Sequence, residues 1–354
     1  MTQSKKLKVG ILGATGAVGE QMRIVLAERK FPIEELRLFG SRRSAGRQIE
    51  FCGEMLTVQE ASQEAFRGLD LLLGAADNDV AKVYLPAAAA SGITVVDNSS
   101  AFRLDPSVPL VIPEVNPEDA LTGSKLIANP NCATIIALTA VAALHRKARI
   151  RRITASTYQA VSGAGRSGME DLESEVKTGK PVLKTFPYQI AYNLIPQIGG
   201  FNDQGYTSEE MKMQNEGRKM LHDDTIRVAC TCVRVPVMRS HSEALTIEFE
   251  KTITPDEARE ILKTAPGVKL WDEPSEKKYP MPLLTSDQDL VYVGRIRRDL
   301  AATDEAFDRS LTLFCCADQI RKGAATNAVQ IAEMVFGLVK PALKKGSQKN
   351  AGVS

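Results

Sequence analysis

The sequence predicts an α/β protein in which a doubly wound parallel sheet is followed by a second, α+β domain. The chain has 354 residues, which is longer than one compact core usually accommodates, so two domains are expected. In the first part, short apolar runs alternate with helix-like runs, as in parallel sheets covered by helices on both faces. After Arg152, longer β-rich runs separated by polar helices replace that alternation and indicate the second domain.

The first domain is expected to span residues 1–131 and to be completed by a C-terminal helix. Its predicted strands are 7–12, 36–40, 69–74 and 93–97, and its predicted helices are 18–29 and 81–90. Ser91 and Gly92 provide a helix stop. An amphipathic run at 327–339 predicts a helix over about 325–343 that packs back on this domain.

The second domain is expected to span residues 132–324. Its predicted strands are 153–161, 225–237, 244–251 and 290–296. Residues 344–354 begin lysine-rich and continue with small and polar residues, so a disordered tail is expected there.

The charge balance argues against nucleic-acid and membrane partners. Forty-five basic and 43 acidic residues leave a net charge of +2, so no overall field favours a polyanion. The basic residues between Arg146 and Arg152 follow an apolar run and suit a solvated helix C-terminus better than a nucleic-acid contact. Because no apolar signal segment and no bilayer-length run is present, a cytoplasmic protein is expected.

The cysteines predict neither a disulfide framework nor a metal site. Six cysteines are sparse for a chain of this size, and a cytoplasmic location would keep them reduced. Cys230 and Cys232 would face one side of a strand, and Cys315 and Cys316 opposite sides. With three histidines and no paired CxxC spacing, buried structural thiols are favoured over metal ligands.

A glycine-rich turn near the N-terminus predicts a Rossmann-type dinucleotide site. The strand 7–12 leads into a GxxGxxG sequence and then a helix, an arrangement that presents backbone N–H groups to a pyrophosphate. The predicted cofactor contacts in this turn are Gly13, Ala14, Thr15, Gly16, Ala17 and Val18. A purely structural tight turn is the alternative.

The end of the second strand indicates which dinucleotide binds. NAD enzymes usually carry a carboxylate there, whereas this strand is followed by Ser41-Arg42-Arg43-Ser44. An arginine fork matches phosphate oxygens, so the sequence favours NADP, with a merely solvated loop as the alternative.

Cys132 is the candidate nucleophile. It follows the turn residues Pro130 and Asn131, and the apolar helix 135–144 comes directly after this segment. Unpaired N–H groups at a helix start stabilise a thiolate, so we expect a lowered pKa and a reactive thiol. A structural cysteine is the alternative unless a base accompanies it.

His241 is the candidate base. It lies in a polar cluster at the end of the run 225–237, where a surface histidine would be the simpler interpretation. Gln159, in a strand that runs into a glycine-rich loop, adds a second polar group and favours a catalytic site.

At this point the chain resembles the aspartate-β-semialdehyde dehydrogenases over essentially its whole length. The motifs that carry the resemblance are, in order, GATGAVG, SRRSAG, DNSSAFR, PEVN, NPNCAT, TYQAVSGAG, EEMKM, VRVPV with HSE, VGRIRRDL and RKGAATNAVQIAE. The resemblance implies NADPH-dependent reductive dephosphorylation of L-aspartyl-4-phosphate to L-aspartate-4-semialdehyde, in lysine, threonine, methionine and isoleucine biosynthesis. It also implies that the second domain is catalytic and forms a homodimer.

The resemblance further implies individual roles. Cys132 would form a thioester, Gln159 would orient it, and His241 would act as acid/base catalyst. Arg234 would hold the substrate α-carboxylate and Glu209 its amino group. The other implied contacts are Arg103 and Lys212 for phosphate, Asn131 for the acyl group, Ser41, Arg43 and Ser44 for the 2′-phosphate, and Ser162, Gly163 and Asn327 for the nicotinamide.

Two rival functions stay open from the residues alone. N-acetyl-γ-glutamyl-phosphate reductase shares the fold and the thiol chemistry, but its substrate carries an acylated amine, whereas Glu209 beside Lys212 suits a free ammonium. A non-enzymatic dinucleotide-binding regulator would retain the fold without the chemistry. The presence of Cys132, Gln159 and His241 together argues against the regulator.

Overall fold

Two sheets organise the chain in the computed structural model, which describes residues 5–340. The first sheet contains β1 (Leu7–Leu12), β2 (Ile33–Gly40), β3 (Gln48–Phe51), β4 (Glu54–Glu60), β5 (Leu71–Gly74), β6 (Thr94–Asp97) and β7 (Leu126–Ala128), with the helices α1 (Ala17–Glu28) and α2 (Asn78–Ala90). Their spatial order is β3-β4-β2-β1-β5-β6-β7. All neighbours pair in parallel except β3 with β4. The chain reverses its direction of winding between β1 and β5, which is where ligands bind in doubly wound sheets.

The second sheet is mixed and has the order β11-β12-β13-β10-β8-β9. Its strands are β8 (Ile150–Gln159), β9 (Arg227–Arg234), β10 (His241–Phe249), β11 (Val268–Leu270), β12 (Val291–Arg298) and β13 (Ser310–Ala317). The helices in this part are α3 (Cys132–Ala148), α4 (Arg166–Thr178), α5 (Ser208–Leu221), α6 (Pro255–Lys263) and α7 (Pro282–Thr285). Helix α8 (Thr326–Val335) follows β13. The predicted α/β fold with a parallel sheet and a second α+β unit is therefore confirmed.

Helix α3 lies at the centre of the second core. Its alanine-rich sequence is buried along most of its length, and it packs with the apolar residues of β8, β10 and β13. An alanine-rich helix can lie close to a sheet because its side chains are small. This packing fixes the first residue of the helix, Cys132, at the edge where the two sheets face each other.

The C-terminal helix returns to the first sheet. Val329, Ile331 and Ala332 of α8 share a core with β1 and α1. The helix is shorter than the predicted 325–343: it ends at Val335, and Gly337 has a φ of 66°, which turns the chain out of the helix. The predicted tail at 344–354 lies outside the described residues.

Several strand limits differ from the sequence prediction. Strand β9 ends at Arg234 and not near residue 237, and β10 begins at His241 and not at residue 244. The hairpin β3–β4 and the strand β13 were not predicted. The boundary expected between residues 131 and 132 falls between β7 and α3, where the chain leaves the first sheet.

Candidate active site

A cavity of about 870 Å³ lies between the two sheets. At one end it is lined by the turn at the start of α1, including Gly16, Ala17 and Val18. At the other end it is lined by two of the predicted nicotinamide contacts, Ser162 and Gly163, and by all the predicted substrate and catalytic residues. The latter are Arg103, Asn131, Cys132, Gln159, Glu209, Lys212, Arg234 and His241. Residues spread over more than 130 positions of the sequence therefore meet in one cleft.

The glycine-rich turn is shaped by close backbone contacts. Gly13 has a φ of 83°, and a Cβ on it would meet the Ala75 carbonyl oxygen at 2.4 Å. A Cβ on Gly19 would meet the Gly13 oxygen at 2.4 Å. The N-cap of α1 is Gly16, which has no side chain to cap the helix, so the first N–H groups of α1 are free of side-chain caps within the described residues. These features fit a pyrophosphate at the helix start.

The predicted 2′-phosphate loop follows β2 and lies beside this turn. Ser44 Oγ is 3.5 Å from Thr15 Oγ1, and the Ser44 N–H donates to the Ser41 carbonyl in a tight turn. Arg43 is exposed to solvent. An exposed arginine and two neighbouring hydroxyls can bind a phosphate group without breaking any buried contact.

Cys132 is the first residue of α3, as predicted. The N-cap is Asn131, whose Oδ1 accepts from the backbone N–H groups of Ala133 at 3.0 Å and Thr134 at 3.2 Å. The segment Arg321–Ala325, one turn of π-helix, passes next to the thiol, and a Cβ on Gly323 would meet Cys132 Cβ at 2.9 Å. The nucleophile therefore needs a glycine at position 323.

The expectation of a lowered pKa for Cys132 is wrong for the protein without substrate. Burial raises the pKa of this thiol to about 12, and the charge of Glu209 raises it further, against opposing effects from Lys212, Arg103 and Arg234. The pKa rise caused by burying a thiolate is larger here than the pKa decrease expected from the helix start. The site holds a protonated thiol until something alters this balance.

His241 opens β10 and is fully buried. Ser240 before it has a φ of 76° and donates its N–H to Gln319 Oε1 at 2.8 Å, which fixes the backbone at the start of the strand.

The Ala160 N–H donates to His241 Nδ1 at 3.0 Å. Nδ1 is therefore the acceptor, and the neutral ring carries its proton on Nε2. Burial, reinforced by Arg234, lowers the pKa of His241 to about 3. The site thus contains a neutral histidine that can donate a hydrogen bond from Nε2, and the low pKa makes it a weaker base than expected from sequence.

Glu209 connects the polar groups around the thiol. Its Oε1 accepts from Asn131 Nδ2 at 2.9 Å and Gln159 Nε2 at 3.1 Å, and its Oε2 accepts from Lys212 Nζ at 2.7 Å. Burial alone would raise its pKa, but Lys212 and the two amide donors lower the pKa of Glu209 to about 2. A buried, ionised carboxylate therefore faces the cavity, and it suits a substrate cation.

Arg234 ends β9 on the same side of the cavity. It donates from Nη1 to the Ala160 carbonyl at 2.6 Å and lies over the Phe186 ring. Burial lowers its pKa, while Glu209 opposes that effect. Nη1 is engaged by the Ala160 carbonyl. Arg234 also lines the cavity, and its other N–H groups can donate to a carboxylate there.

Arg103 is held on three sides at the cavity wall. It donates from Nε to the Asn129 carbonyl at 2.9 Å, from Nη2 to the Asn98 carbonyl at 2.8 Å, and from Nη1 to Glu216 Oε1 at 3.2 Å. Each Nη carries a second hydrogen, so the residue can still donate to a phosphate.

Sequence reasoning missed two residues of this region, Glu216 and Gln319. Glu216 lies behind the wall, and Gln319 lines the cavity and bonds both the Ser240 N–H and the Ser162 hydroxyl. The available signal for Gln319 was a polar pair, Asp318-Gln319, directly after an apolar strand. Glu216 gave no local signal beyond its spacing of seven residues from Glu209.

Asn327 is one of the predicted cofactor contacts that do not line this cavity; the others are Gly13, Ala14, Thr15, Ser41, Arg43 and Ser44. The Asn327 side chain donates to the Val111 carbonyl at 3.0 Å and to Asn129 Oδ1 at 2.7 Å, and it accepts from buried Lys322. It acts on the site through Asn129, which does line the cavity.

Four of the other five cysteines are buried in strands, as expected of structural thiols. Cys230 and Cys232 are buried on one side of β9 with their sulfurs 3.6 Å apart, and Cys315 and Cys316 are buried in β13. Cys52 differs, since it is exposed in the β3–β4 turn. Within residues 5–340, no cluster of metal-binding side chains occurs. Nor does that range contain a helix with the length and apolar character needed to cross a bilayer.

Fold and site together define a dehydrogenase of the semialdehyde type, with a dinucleotide fold beside a cysteine-centred pocket. Two family profiles match this description. Residues 8–122 match the semialdehyde dehydrogenase NAD binding domain, and residues 141–322 match the semialdehyde dehydrogenase dimerisation domain.

Individual relatives narrow the class. The chain is 49% identical to aspartate-semialdehyde dehydrogenase of Aquifex aeolicus over 336 residues, which cover 93% of this chain and 97% of that protein. It resembles the crystal structure of aspartate semialdehyde dehydrogenase II from Vibrio cholerae complexed with ASA, with a TM-score of 0.90, 41% identity and coverage of 94% and 99% of the two chains. The enzyme from Candida albicans with NADP gives a TM-score of 0.74 at 25% identity, covering 95% and 100%. The chain belongs to the aspartate-semialdehyde dehydrogenase family.

Proposed function

We propose that this protein converts L-aspartyl-4-phosphate to L-aspartate-4-semialdehyde with NADPH, through a thioester on Cys132. The observation that carries the proposal is the buried carboxylate of Glu209 close to Cys132, with Arg234 on the same cavity wall. An α-amino acid presents an ammonium and a carboxylate on one carbon, and this pair of opposite charges matches both. Arg103 and Lys212 add cations for the phosphate.

The dinucleotide would occupy the other end of the cavity. Gly13 and Gly19 let the turn pack closely against Ala75 and against its own backbone, and the start of α1 at Gly16 then lines the cavity where a pyrophosphate would lie. Ser41, Arg43 and Ser44 would receive a 2′-phosphate. Ser162 and Gly163 line the cavity between this end and Cys132, where a nicotinamide would lie. When bound, the reduced cofactor supplies a hydride.

Substrate binding would itself activate the thiol. Glu209 is the largest charge effect that raises the pKa of Cys132, and a substrate ammonium paired with Glu209 offsets it. Arg103, Arg234 and Lys212 already favour the thiolate. Pairing of Glu209 with the substrate ammonium therefore removes one of the two effects that raise the pKa of Cys132, while burial, the larger effect, remains.

The chemistry proceeds in two stages at Cys132. The Cys132 sulfur attacks the β-carbonyl carbon, and the bond from that carbon to the phosphate oxygen breaks. The departing phosphate takes up the proton of the thiol and leaves as hydrogen phosphate towards Arg103 and Lys212. After hydride addition to the thioester carbon, the carbon–sulfur bond of the resulting alkoxide breaks, releasing the aldehyde and the thiolate. His241, neutral and protonated on Nε2, donates a hydrogen bond to the carbonyl oxygen as negative charge develops on it.

We further propose a cytoplasmic homodimer formed through the second sheet. The match to a dimerisation domain covers this part of the chain. The outer face of the sheet carries Tyr158, which is 39% exposed and lies 6.3 Å from the Phe314 ring, so an apolar aromatic surface is available there.

The test of the reaction is substrate discrimination in the reverse direction, with phosphate and NADP. The protein is expected to oxidise aspartate-4-semialdehyde and to leave N-acetyl-glutamate-γ-semialdehyde unchanged, because the acetylated nitrogen offers Glu209 no cation. Equal or better activity on the acetylated aldehyde would overturn the substrate assignment while leaving the Cys132 chemistry standing.

A further inference from the structure

Glu216, a residue without a role in the chemistry above, connects the phosphate site to the nucleophile. It lies on α5, seven residues after Glu209, and is 2% exposed. Its Oε1 accepts from Arg103 Nη1 at 3.2 Å and its Oε2 accepts from the Asn131 N–H at 2.7 Å. One carboxylate therefore holds the proposed phosphate-binding arginine and the residue directly before Cys132.

The same helix also holds the backbone around Arg103. Lys219, three residues after Glu216, donates from Nζ to the carbonyl oxygens of Arg103, Asp105 and Val108 at 2.6–2.8 Å. Residues 216 and 219 lie on one face of α5. Main chain and side chain of Arg103 are thus both fixed by α5, and the phosphate site is built by contacts that come from the second half of the chain.

The nucleophile end of this connection is equally fixed. The Asn131 side chain caps α3 and donates to Glu209. The backbone N–H of Asn131 is buried and needs an acceptor of its own, and Glu216 Oε2 is that acceptor. Because Asn131 and Cys132 are adjacent, loss of this bond releases the start of α3 and changes where the thiol lies.

We propose that Glu216 is a positioning residue that couples phosphate binding at Arg103 to the placement of Cys132. The proposal rests on the function proposed above. The charge of Glu216 also weakens phosphate binding, because its carboxylate partly neutralises Arg103. This allows the phosphate released by acyl transfer to leave.

Glu216→Gln separates these two effects. Glutamine keeps the size but removes the negative charge, and its NH₂ group cannot accept from a second N–H donor. We expect kcat in the phosphate-dependent reverse reaction to fall about 10-fold or more, while KM for phosphate decreases about 3-fold. A residue that only stabilises the fold would not slow turnover while tightening phosphate binding.

Glu210→Gln is the matched control. Glu210 is a buried carboxylate on the same helix that accepts from two backbone N–H groups, those of Thr207 and Cys232, and it does not contact Arg103 or Asn131. Its variant is expected to lower the melting temperature with little change in KM for phosphate. Glu216→Asp, which keeps the charge but is shorter, should lower kcat without tightening phosphate binding.

Calorimetric titration with inorganic phosphate provides a readout that does not require turnover. It measures the phosphate affinity directly, and Glu216→Gln is expected to bind phosphate more tightly than the unmodified protein. Equal kinetics and equal phosphate affinity for Glu216→Gln and Glu210→Gln would overturn the role of Glu216. Failure of the proposed function has a different signature, since the unmodified protein would then not oxidise aspartate-4-semialdehyde at all.

Discussion

The two ends of the cavity are built in different ways. The cofactor end consists of backbone, in which Gly13 and Gly19 allow close contacts within the turn, and of an exposed loop around Arg43. The nucleophile end consists of buried, mutually bonded side chains such as Glu209 and His241. The first end is a local structure that tolerates water, whereas the second depends on precise partners from distant parts of the chain. Substitutions at the nucleophile end should therefore have the larger effects.

Replacement of Cys132 by serine is expected to cause the largest loss. A serine hydroxyl cannot form the thioester under these conditions, so turnover should fall by at least about 1000-fold. Folding and NADPH binding should be retained, because the cofactor end does not use the thiol; fluorescence titration with NADPH measures this. Serine at Cys230, Cys232, Cys315 or Cys316 provides the comparison. A Cys132→Ser enzyme with near-normal kcat would refute the mechanism.

Arg234→Leu tests the substrate contact at the same end. Loss of a charge-assisted pair with the α-carboxylate, worth roughly 2–4 kcal/mol, should lower kcat/KM about 30-fold to 1000-fold. Arg234→Lys should restore activity only in part, since an ammonium cannot make the planar double contact. An unchanged KM for aspartate-4-semialdehyde in steady-state assays of Arg234→Leu would place the carboxylate elsewhere.

Arg43→Ala tests the cofactor end and should have a smaller effect. The guanidinium is exposed, so its contact with a 2′-phosphate is screened by water, and we expect about a 10-fold loss in kcat/KM for NADP. Activity with NAD, which lacks that phosphate, should change little. Comparable kcat/KM for NADP and NAD in the unmodified protein would contradict the cofactor assignment.

The smallest expected effect concerns pH. Burial lowers the pKa of His241 to about 3, so its ring should stay neutral across the working range. The sign follows from linkage: the unfolded chain takes up this proton near its usual pKa of about 6.5, so stability from the buried neutral ring is present above that pH and declines as pH falls towards 3. NMR of labelled histidine should show a His241 ring that does not titrate between about pH 5 and 8 in the folded protein but titrates in urea. A midpoint near neutrality in the folded state would contradict this.

The same contrast explains what the sequence could predict. The limits of β1 and the placement of Cys132 at a helix start follow from contiguous patterns, and both are found in the structure. The strand limits around His241 were wrong, because Pro236 and the left-handed Ser240 end one strand and begin the next, a turn that apolar periodicity does not reveal.

Electrostatic properties were also beyond sequence reasoning. The sequence placed Cys132 at a helix start, where the structure has it, but the raised pKa depends on burial and on Glu209, 77 positions away along the sequence. Glu216 reaches Asn131 across 85 residues, a contact that no local pattern encodes. Family resemblance proposed residues that would contact substrate, and it did not point to Glu216, which holds two of them, Arg103 and Asn131, in place.

The most direct test of the thioester at Cys132 is a pre-steady-state measurement without phosphate. Mixed with aspartate-4-semialdehyde and NADP, the enzyme should release a burst of NADPH equal to the concentration of subunits and then stop or slow, because the acyl group stays on Cys132 until an acceptor arrives. Mass spectrometry should find the aspartyl group on the peptide containing Cys132, and added phosphate should restore turnover. Continuous NADPH production without phosphate and without any acylated Cys132 would contradict the account.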